Sequence, residues 1–144
     1  MTEAADILLQ IGDWDELGAI AGDIRRAVFI VEQNIPERLE WDEFDPVAIH
    51  CVAFLGDKPV GTGRLLPDAH IGRMAVLREH RGSGVGAAIL RRLLEVGRAR
   101  GDRRFELNAQ RYVKAFYERE GFKAYGLPFK EAGIDHVTMR LELD

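Results

Sequence analysis

Apolar residues recur along this chain with two periods, and each switch between them marks an element. Ile7 to Ile11 is a short apolar run closed by Gly12 and Asp13, which predicts a first strand. From Glu16 to Val31 the period lengthens. Leu17, Ile20, Ala21, Ile24, Val28 and Val31 stand three or four apart, one face of a helix that Asp13 or Asp15 caps, with Arg25 and Arg26 on its wetter side. The segment Glu32 to Pro46 has no sustained period. Its carboxylates and the breaks at Pro36 and Pro46 predict a loop with at most one short helical turn, whose Trp41 and Phe44 either line a pocket or cover an edge of the core.

Beyond that loop, Ala48 to Leu55 reads as a buried strand, Gly56-Asp57-Lys58-Pro59 as a turn, and Val60 to Leu66 as the returning strand. Pro67-Asp68 turns the chain again into Ala69 to Val76, completing an antiparallel meander. A helical stripe then appears at Val85, Ile89, Leu93 and Val96, widened by Ala88, Leu90 and Leu94, opposite Arg91, Arg92, Glu95 and Arg98. Arg91 and Glu95, four apart, are expected to pair for roughly 0.3–0.5 kcal/mol. Gly101 ends this helix, and Arg104 to Ala109 alternates as a strand, so that strand, helix and strand form a right-handed crossover between two parallel strands. Tyr112 to Glu120 predicts a short helix stopped by Gly121, and Phe122 to Tyr125 and His136 to Leu143 predict terminal strands. The order is that of one α/β domain over residues 1–144, a mixed, mostly antiparallel twisted sheet with flanking helices. An edge strand near the C-terminus offers a homodimer contact.

Composition narrows the classes of function. Hydrophobic residues at 47%, charged residues at 31% and a net charge of −4 fit a globular protein with no basic footprint, which argues against a nucleic-acid partner. The single cysteine, Cys51, excludes an internal disulfide and a multi-cysteine zinc site, and its apolar neighbours predict a small buried strand residue. No metal is expected. The first residues, MTEAADILL, carry no basic leader, and no apolar run reaches membrane-spanning length, so the expectation is a cytoplasmic protein with no membrane partner.

The chemistry concentrates in His70 to Gly101. A strand, a glycine-broken turn from Arg81 to Gly86 and a helix converge backbone N–H groups and the positive end of a helix dipole on one point, which predicts a phosphate-bearing ligand. Walker A is excluded because no Gly-Lys-Ser/Thr follows the glycines. Gly82 to Ala87 formally fits the dinucleotide pattern G-x-G-x-x-A. Yet five residues, Leu77 to Arg81, separate it from the strand, Glu106 lies inside its own strand, and the chain is too short for a second mononucleotide half. The better match is Arg-x-x-Gly-x-Gly, Arg81-Gly82-Ser83-Gly84-Val85-Gly86, after a Met-Ala-Val strand. Here the chain resembles the GNAT superfamily of N-acetyltransferases. Downstream, Asn108 at a strand end and Ala115-Phe116-Tyr117-Glu118-Arg119-Glu120-Gly121-Phe122 are similar to that family's later motifs, including its A-x-Y-E-x-x-G-F signature.

The resemblance implies an acetyl-CoA-dependent acyltransferase with a central β-α-β acyl-CoA unit. Arg81, Gly82, Ser83, Gly84, Val85 and Gly86 would hold the pyrophosphate, and Met74, Ala75 and Val76 would bind the pantetheine arm through their backbone, with Asn108 beside it. Tyr117 would protonate the departing thiolate. Many relatives place a glutamate base on the strand before the glycine turn, where this chain has Arg73. The remaining candidates are Glu32, Glu40, Glu43, His80 and His136, with Glu40 and His136 first, or water. A two-residue hairpin at Pro67-Asp68 would set Arg64 opposite Ile71 and make Arg64 and Arg73 same-face neighbours. Such a pair needs an anion, either a carboxylate of the acidic loop or an acidic acceptor substrate. The acceptor itself is expected to be an amine of a small molecule or a protein. A catalytically silent acyl-CoA-binding module and a nicotinamide or other nucleotide enzyme are the alternatives.

Overall fold

Strand β2 (Ile49–Leu55) is covered on both faces, and the molecule is layered around it. In the computed structural model, which describes residues 6–143, β2 lies between β1 (Ile7–Gly12) and β3 (Lys58–Leu65), and β4 (Ile71–Val76) follows β3, all antiparallel. The first five residues, where the absence of a leader was argued, lie outside the described residues. Helix α1 (Trp14–Arg25) lays Leu17, Ala21 and Ile24 on one face of the sheet, against Val52 and Ala75. Helix α3 (Val85–Arg100) lays Val85, Ile89, Leu90 and Leu93 on the other, against Cys51, Ala53 and Val60. The two-residue pleat thus divides β2 between two helices, which is why it reads as a nearly unbroken apolar run. Cys51 is fully buried, and burial raises its thiol pKa to about 12.

A second antiparallel sheet has the order β5 (Arg104–Gln110), β7 (Ile134–Glu142), β6 (Lys123–Glu131). The two sheets join at a single parallel bridge, His70 to Glu106, so the expected parallel pair meets there and then parts. Strand β6 is longer than Phe122 to Tyr125. It pairs Tyr125 with Thr138 and Phe129 with His136, which bulges Gly126, Leu127 and Pro128 out opposite Val137; that interruption hid the strand. It is the edge of its sheet, with Tyr125 and Leu127 exposed.

Several local expectations change in detail. Asp13 caps α1 in a reciprocal box with Glu16, at 2.9 and 3.0 Å, and the helix then widens into a π-helical stretch, Arg26–Glu32. The acidic loop contains the short helix α2 (Glu37–Glu40). Helix α4 (Lys114–Arg119) is preceded by a 3₁₀ turn, Arg111–Val113. Arg91 does not pair with Glu95. It holds Glu120 at 2.8 Å, beyond α4, because a bidentate partner on a neighbouring element outcompetes an exposed helix pair.

The β3–β4 hairpin also differs from the two-residue reading. Leu66 N–H donates to the His70 carbonyl and Ala69, at φ +69°, closes a three-residue loop, so Arg64 stands opposite Gly72 and Leu65 opposite Ile71. The register then shifts, with Thr62 opposite Ala75, which places one extra residue on β4. Arg73 occupies this bulge at φ +50°, a conformation that an arginine rarely adopts.

The largest departure is Arg25, assigned to the wet side of the helix and here only 1% exposed. It lies between the rings of Trp14 and Trp41, 5.5 and 5.0 Å from their centroids. Its guanidinium reaches Glu40 Oε2 and Asp45 Oδ1, each at 2.8 Å, and the Glu40 carbonyl at 2.9 Å. Trp41 therefore covers the core edge, while Phe44 is about half exposed. Arg64 joins the group through Asp42 at 2.7 Å and Asp45 at 2.8 Å, and Arg73 through Glu40 at 3.2 Å and Asp42 at 3.1 Å. Three cations and three anions are thus interleaved.

Removing one member of such a group strands its partners in a poorly solvated site. Arg25→Met should lower the unfolding free energy by about 3–5 kcal/mol in urea titrations, and Arg25→Lys should recover little of it, since an ammonium cannot span Glu40 and Asp45. Burial opposes ionisation of Asp42, but hydrogen bonds from Arg64 and the charges of Arg64 and Arg73 prevail and hold its pKa at about 2, against 3.8 ordinarily. The folded value lies below the unfolded one, so this carboxylate stabilises the fold above about pH 4 and the stabilisation is lost as pH falls toward 2. Asp42→Asn should flatten stability over that window, measured by urea midpoints from pH 5 to pH 2.

Candidate active site

Past the His70–Glu106 bridge, β4 and β5 separate and leave a cleft of about 750 Å³. One wall is Met74, Ala75 and Val76 of β4, the other Asn108, Ala109 and Gln110 of β5. Beyond the bridge β4 has no ladder with β5, so its cleft-side edge is an unpaired strand edge.

The glycine turn closes one end of this cleft. Gly82 and Gly84 take φ of +79° and +89°, so both positions need glycine for the backbone conformation, and a Cβ at either would meet nothing within 4 Å. Gly84 caps α3, and the first bond outside the turn runs from Ala88 N–H to the Gly84 carbonyl. Val85, Gly86 and Ala87 N–H therefore have no partner within the helix and, with the dipole of a sixteen-residue helix, form a cradle for an anion.

Arg81 opens the turn, and its guanidinium is occupied within the protein. Nη1 and Nη2 hold the Glu32 carboxylate at 2.6 and 2.7 Å, and Nε donates to the Val76 carbonyl at 2.9 Å. That pairing depresses the Glu32 pKa and raises that of Arg81. Glu32 ends the π-helical stretch, so Arg81 ties that stretch, the end of β4 and the glycine turn together. Next to it, Gln33 exchanges amide hydrogen bonds with Gln110, at 2.9 and 3.5 Å, across the cleft. Neither Glu32–Arg81 nor Gln33–Gln110 has a local signal, because the partners lie 49 and 77 residues apart.

Tyr117 comes from α4 and is held edge-on between Phe116 and Phe122, with ring centroids 5.0 and 6.0 Å away. It lines the cleft, and its hydroxyl makes no hydrogen bond among the described residues. Burial, with a smaller contribution from Tyr112, raises its pKa to about 12, so the phenol keeps its proton at neutral pH. Asn108 accepts a hydrogen bond from Thr138 at 3.0 Å.

Glu40, His136, Arg64 and Arg73 also line the cleft. Glu40 is 3% exposed; burial raises its pKa although Arg73, Arg25 and Arg64 act to lower it. Desolvation correspondingly lowers the pKa of Arg73. His136 is buried, stacks on Phe129 at 5.7 Å and donates from Nδ1 to the Ile134 carbonyl at 2.7 Å. With that proton placed, Nε2 of the neutral ring is an acceptor, 3.7 Å from Glu131 Oε2. Of the other base candidates, Glu32 is committed to Arg81, whereas His80 lines the cleft beside the turn and Glu43 does not line it. Arg64 and Arg73 share Asp42, so a carboxylate of the acidic loop stands between them.

Comparison with known proteins agrees with this geometry. Residues 19–143 match the family model described as an acetyltransferase (GNAT) domain. The chain is 38% identical over 120 residues to "Uncharacterized N-acetyltransferase YjcF" of Bacillus subtilis, covering 81% of this chain and 86% of that protein. It is 30% identical to the protein ElaA of Escherichia coli, over 83% of this chain and 84% of ElaA. The crystal structure of Escherichia coli ElaA superposes with a TM-score of 0.84 over 95% of this chain and all of ElaA (100%), at 29% identity. An acyl-CoA N-acyltransferase of Pseudomonas aeruginosa superposes with a TM-score of 0.83 over 94% of this chain and 99% of that chain, also at 29% identity. Family model, curated relatives and superposed structures agree, and the chain belongs to the GNAT family of acetyltransferases.

Proposed function

We propose that this protein transfers an acetyl group from acetyl-CoA to a primary amine by direct attack of the amine on the thioester. The observation that carries the reading is the pairing of two features on one cleft. Unpartnered N–H groups stand at the start of α3, and a buried, protonated Tyr117 stands further in. Acyl-CoA has complementary parts, a pyrophosphate, an amide-bearing arm and a thioester.

Each residue then has a task set by its chemistry. The N–H groups of the Gly82–Gly86 turn would hold the pyrophosphate, with Arg81 bracing the turn through Glu32 and Val76; the Ser83 hydroxyl, expected at the ligand, instead donates to the His80 carbonyl, and Ser83 does not line the cleft. The open edge of β4 at Met74, Ala75 and Val76 offers hydrogen bonds to the pantetheine amides as an adjoining strand would, with Asn108 opposite. The acceptor amine must arrive or become neutral, since an alkylammonium has no lone pair to attack with. His136, which lines the cleft with Nδ1 bonded to the Ile134 carbonyl, would take that proton at Nε2, and Glu40, held by Arg25 and Arg73, is the second candidate. When the tetrahedral intermediate collapses, the carbon–sulfur bond breaks, the Tyr117 phenol supplies a proton to the leaving thiolate, and the proton given up by the acylated nitrogen returns Tyr117 to its phenol form. Arg64 and Arg73 line the same cleft, but Asp42, Asp45 and Glu40 already supply their counter-charge, so an anionic part of the acceptor is not assigned to them.

Acetyl-CoA-dependent thiol release over a panel of amines tests the reading. Turnover with at least one amine is expected; CoA binding without release for any amine would instead indicate a silent acyl-CoA-binding module. Tyr117→Phe should reduce kcat about tenfold or more while leaving the acetyl-CoA Kd unchanged. In a Tyr112→Phe/Tyr125→Phe protein, where Tyr117 is the last tyrosine, absorbance at the phenolate band should titrate near pH 12. His136→Gln should lower kcat/KM on the order of a hundredfold at neutral pH. A comparable loss in Glu40→Gln with none in His136→Gln would transfer the base to the acidic loop.

A further inference from the structure

Four arginines line the cleft: Arg64, Arg73, Arg81 and Arg119. The first three are each held by carboxylates, Arg64 by Asp42 and Asp45, Arg73 by Glu40 and Asp42, and Arg81 by Glu32. No lysine lines it. Arg119 is different. It is exposed, and among the described residues no carboxylate lies within 4 Å of its guanidinium and it makes no side-chain hydrogen bond.

Its position follows from α4, whose last residue it is. Phe116, one turn earlier, lies 3.5 Å from where a Cβ of Gly86 would stand, so α4 abuts the start of α3. Glu120, the next residue, is bound to Arg91 in the second turn of α3 at 2.8 Å. That bond engages Glu120 elsewhere and ties the end of α4 to the first half of α3. The exposed cation therefore sits on the rim of the cleft beside the start of α3.

A ligand whose pyrophosphate rests on the Gly82–Gly86 turn and whose thioester reaches Tyr117 must leave its nucleoside end at that rim. In CoA this end carries a phosphomonoester on the ribose 3′ carbon, close to a dianion at neutral pH. Backbone N–H groups suit the pyrophosphate, but an isolated dianion at an exposed rim calls for a full, forked cation. We propose that Arg119 pairs with the 3′-phosphate and makes this site prefer CoA over its 3′-dephospho form. The assignment rests on the acyl-CoA reading above. Because the residue is exposed, the pair should be worth about a fivefold difference in affinity, shrinking as added salt screens it.

Calorimetric titration of the whole protein with CoA and with 3′-dephospho-CoA tests this without any acceptor. The unaltered protein should bind CoA about fivefold more tightly at low salt. In Arg119→Gln the two affinities should converge, by weakening of CoA alone. Arg98→Gln, which removes an exposed charge from the opposite end of α3, should preserve the difference. Equal, tight binding of both ligands to the unaltered protein would overturn the assignment of Arg119, as would a difference that persists in Arg119→Gln. Binding of neither would overturn the acyl-CoA reading and this assignment with it.

Discussion

The interleaved charges of Arg25, Arg64 and Arg73 with Glu40, Asp42 and Asp45 are the constraint on which the rest of the structure depends. Burying one such charge is expensive, and burying Arg25, Arg64, Glu40 and Asp45 with Arg73 and Asp42 half-buried beside them is tolerable only because every carboxylate has an arginine partner and the formal charges cancel. The group spans α1, the acidic loop and strands β3 and β4. It converts a loop with no periodic structure into a fixed wall. Glu40 thereby faces the cleft with its carboxylate already oriented, and its elevated pKa is the electrostatic consequence of that burial.

A second constraint runs through the π-helical stretch. Its last residue, Glu32, grips Arg81, and Arg81 in turn holds the Val76 carbonyl, so the end of β4 and the glycine turn are tied to the stretch that continues α1. A charge that the sequence offers to a phosphate is thus spent on holding the cradle in place. The backbone N–H groups at the start of α3 are left free, and they need no side chain to order and keep their geometry through the helix. Arg73 contributes in a different way: its bulge lets a residue on a strand edge reach the acidic loop, at the expense of an unfavourable φ of +50°.

The cleft exists because two sheets that share one bridge cannot continue to pair. Each sheet twists with its own register, and beyond His70 and Glu106 the strands part. The open edge, the helix start and the aromatic clamp around Tyr117 all face that gap. This common orientation makes separate motifs into one site.

Local physics was enough to read much of this from the sequence. The stripe of α3, the apolar run of β2, the alternation of β7, the cap at Asp13 and the glycines at 82 and 84 depend on neighbours a few residues away, so their signals survive without a fold. The two family motifs likewise keep their own order and spacing. What failed depended on distant partners or on one residue of register. Arg25 stands four after Ala21 and eight after Leu17, on the edge of the apolar stripe, but only Glu40, Asp45 and two tryptophans brought in by tertiary packing make burial of its charge affordable. A third residue in the Pro67–Ala69 loop set Arg64 against Gly72, and a three-residue bulge concealed half of β6. By itself the sequence determined most of the elements, the glycine turn before α3 and the family, because these are written in short-range pattern. Only the tertiary structure decided which charges are free and which are committed, because a guanidinium's partner is chosen by proximity in space, across separations of 15 to 49 residues.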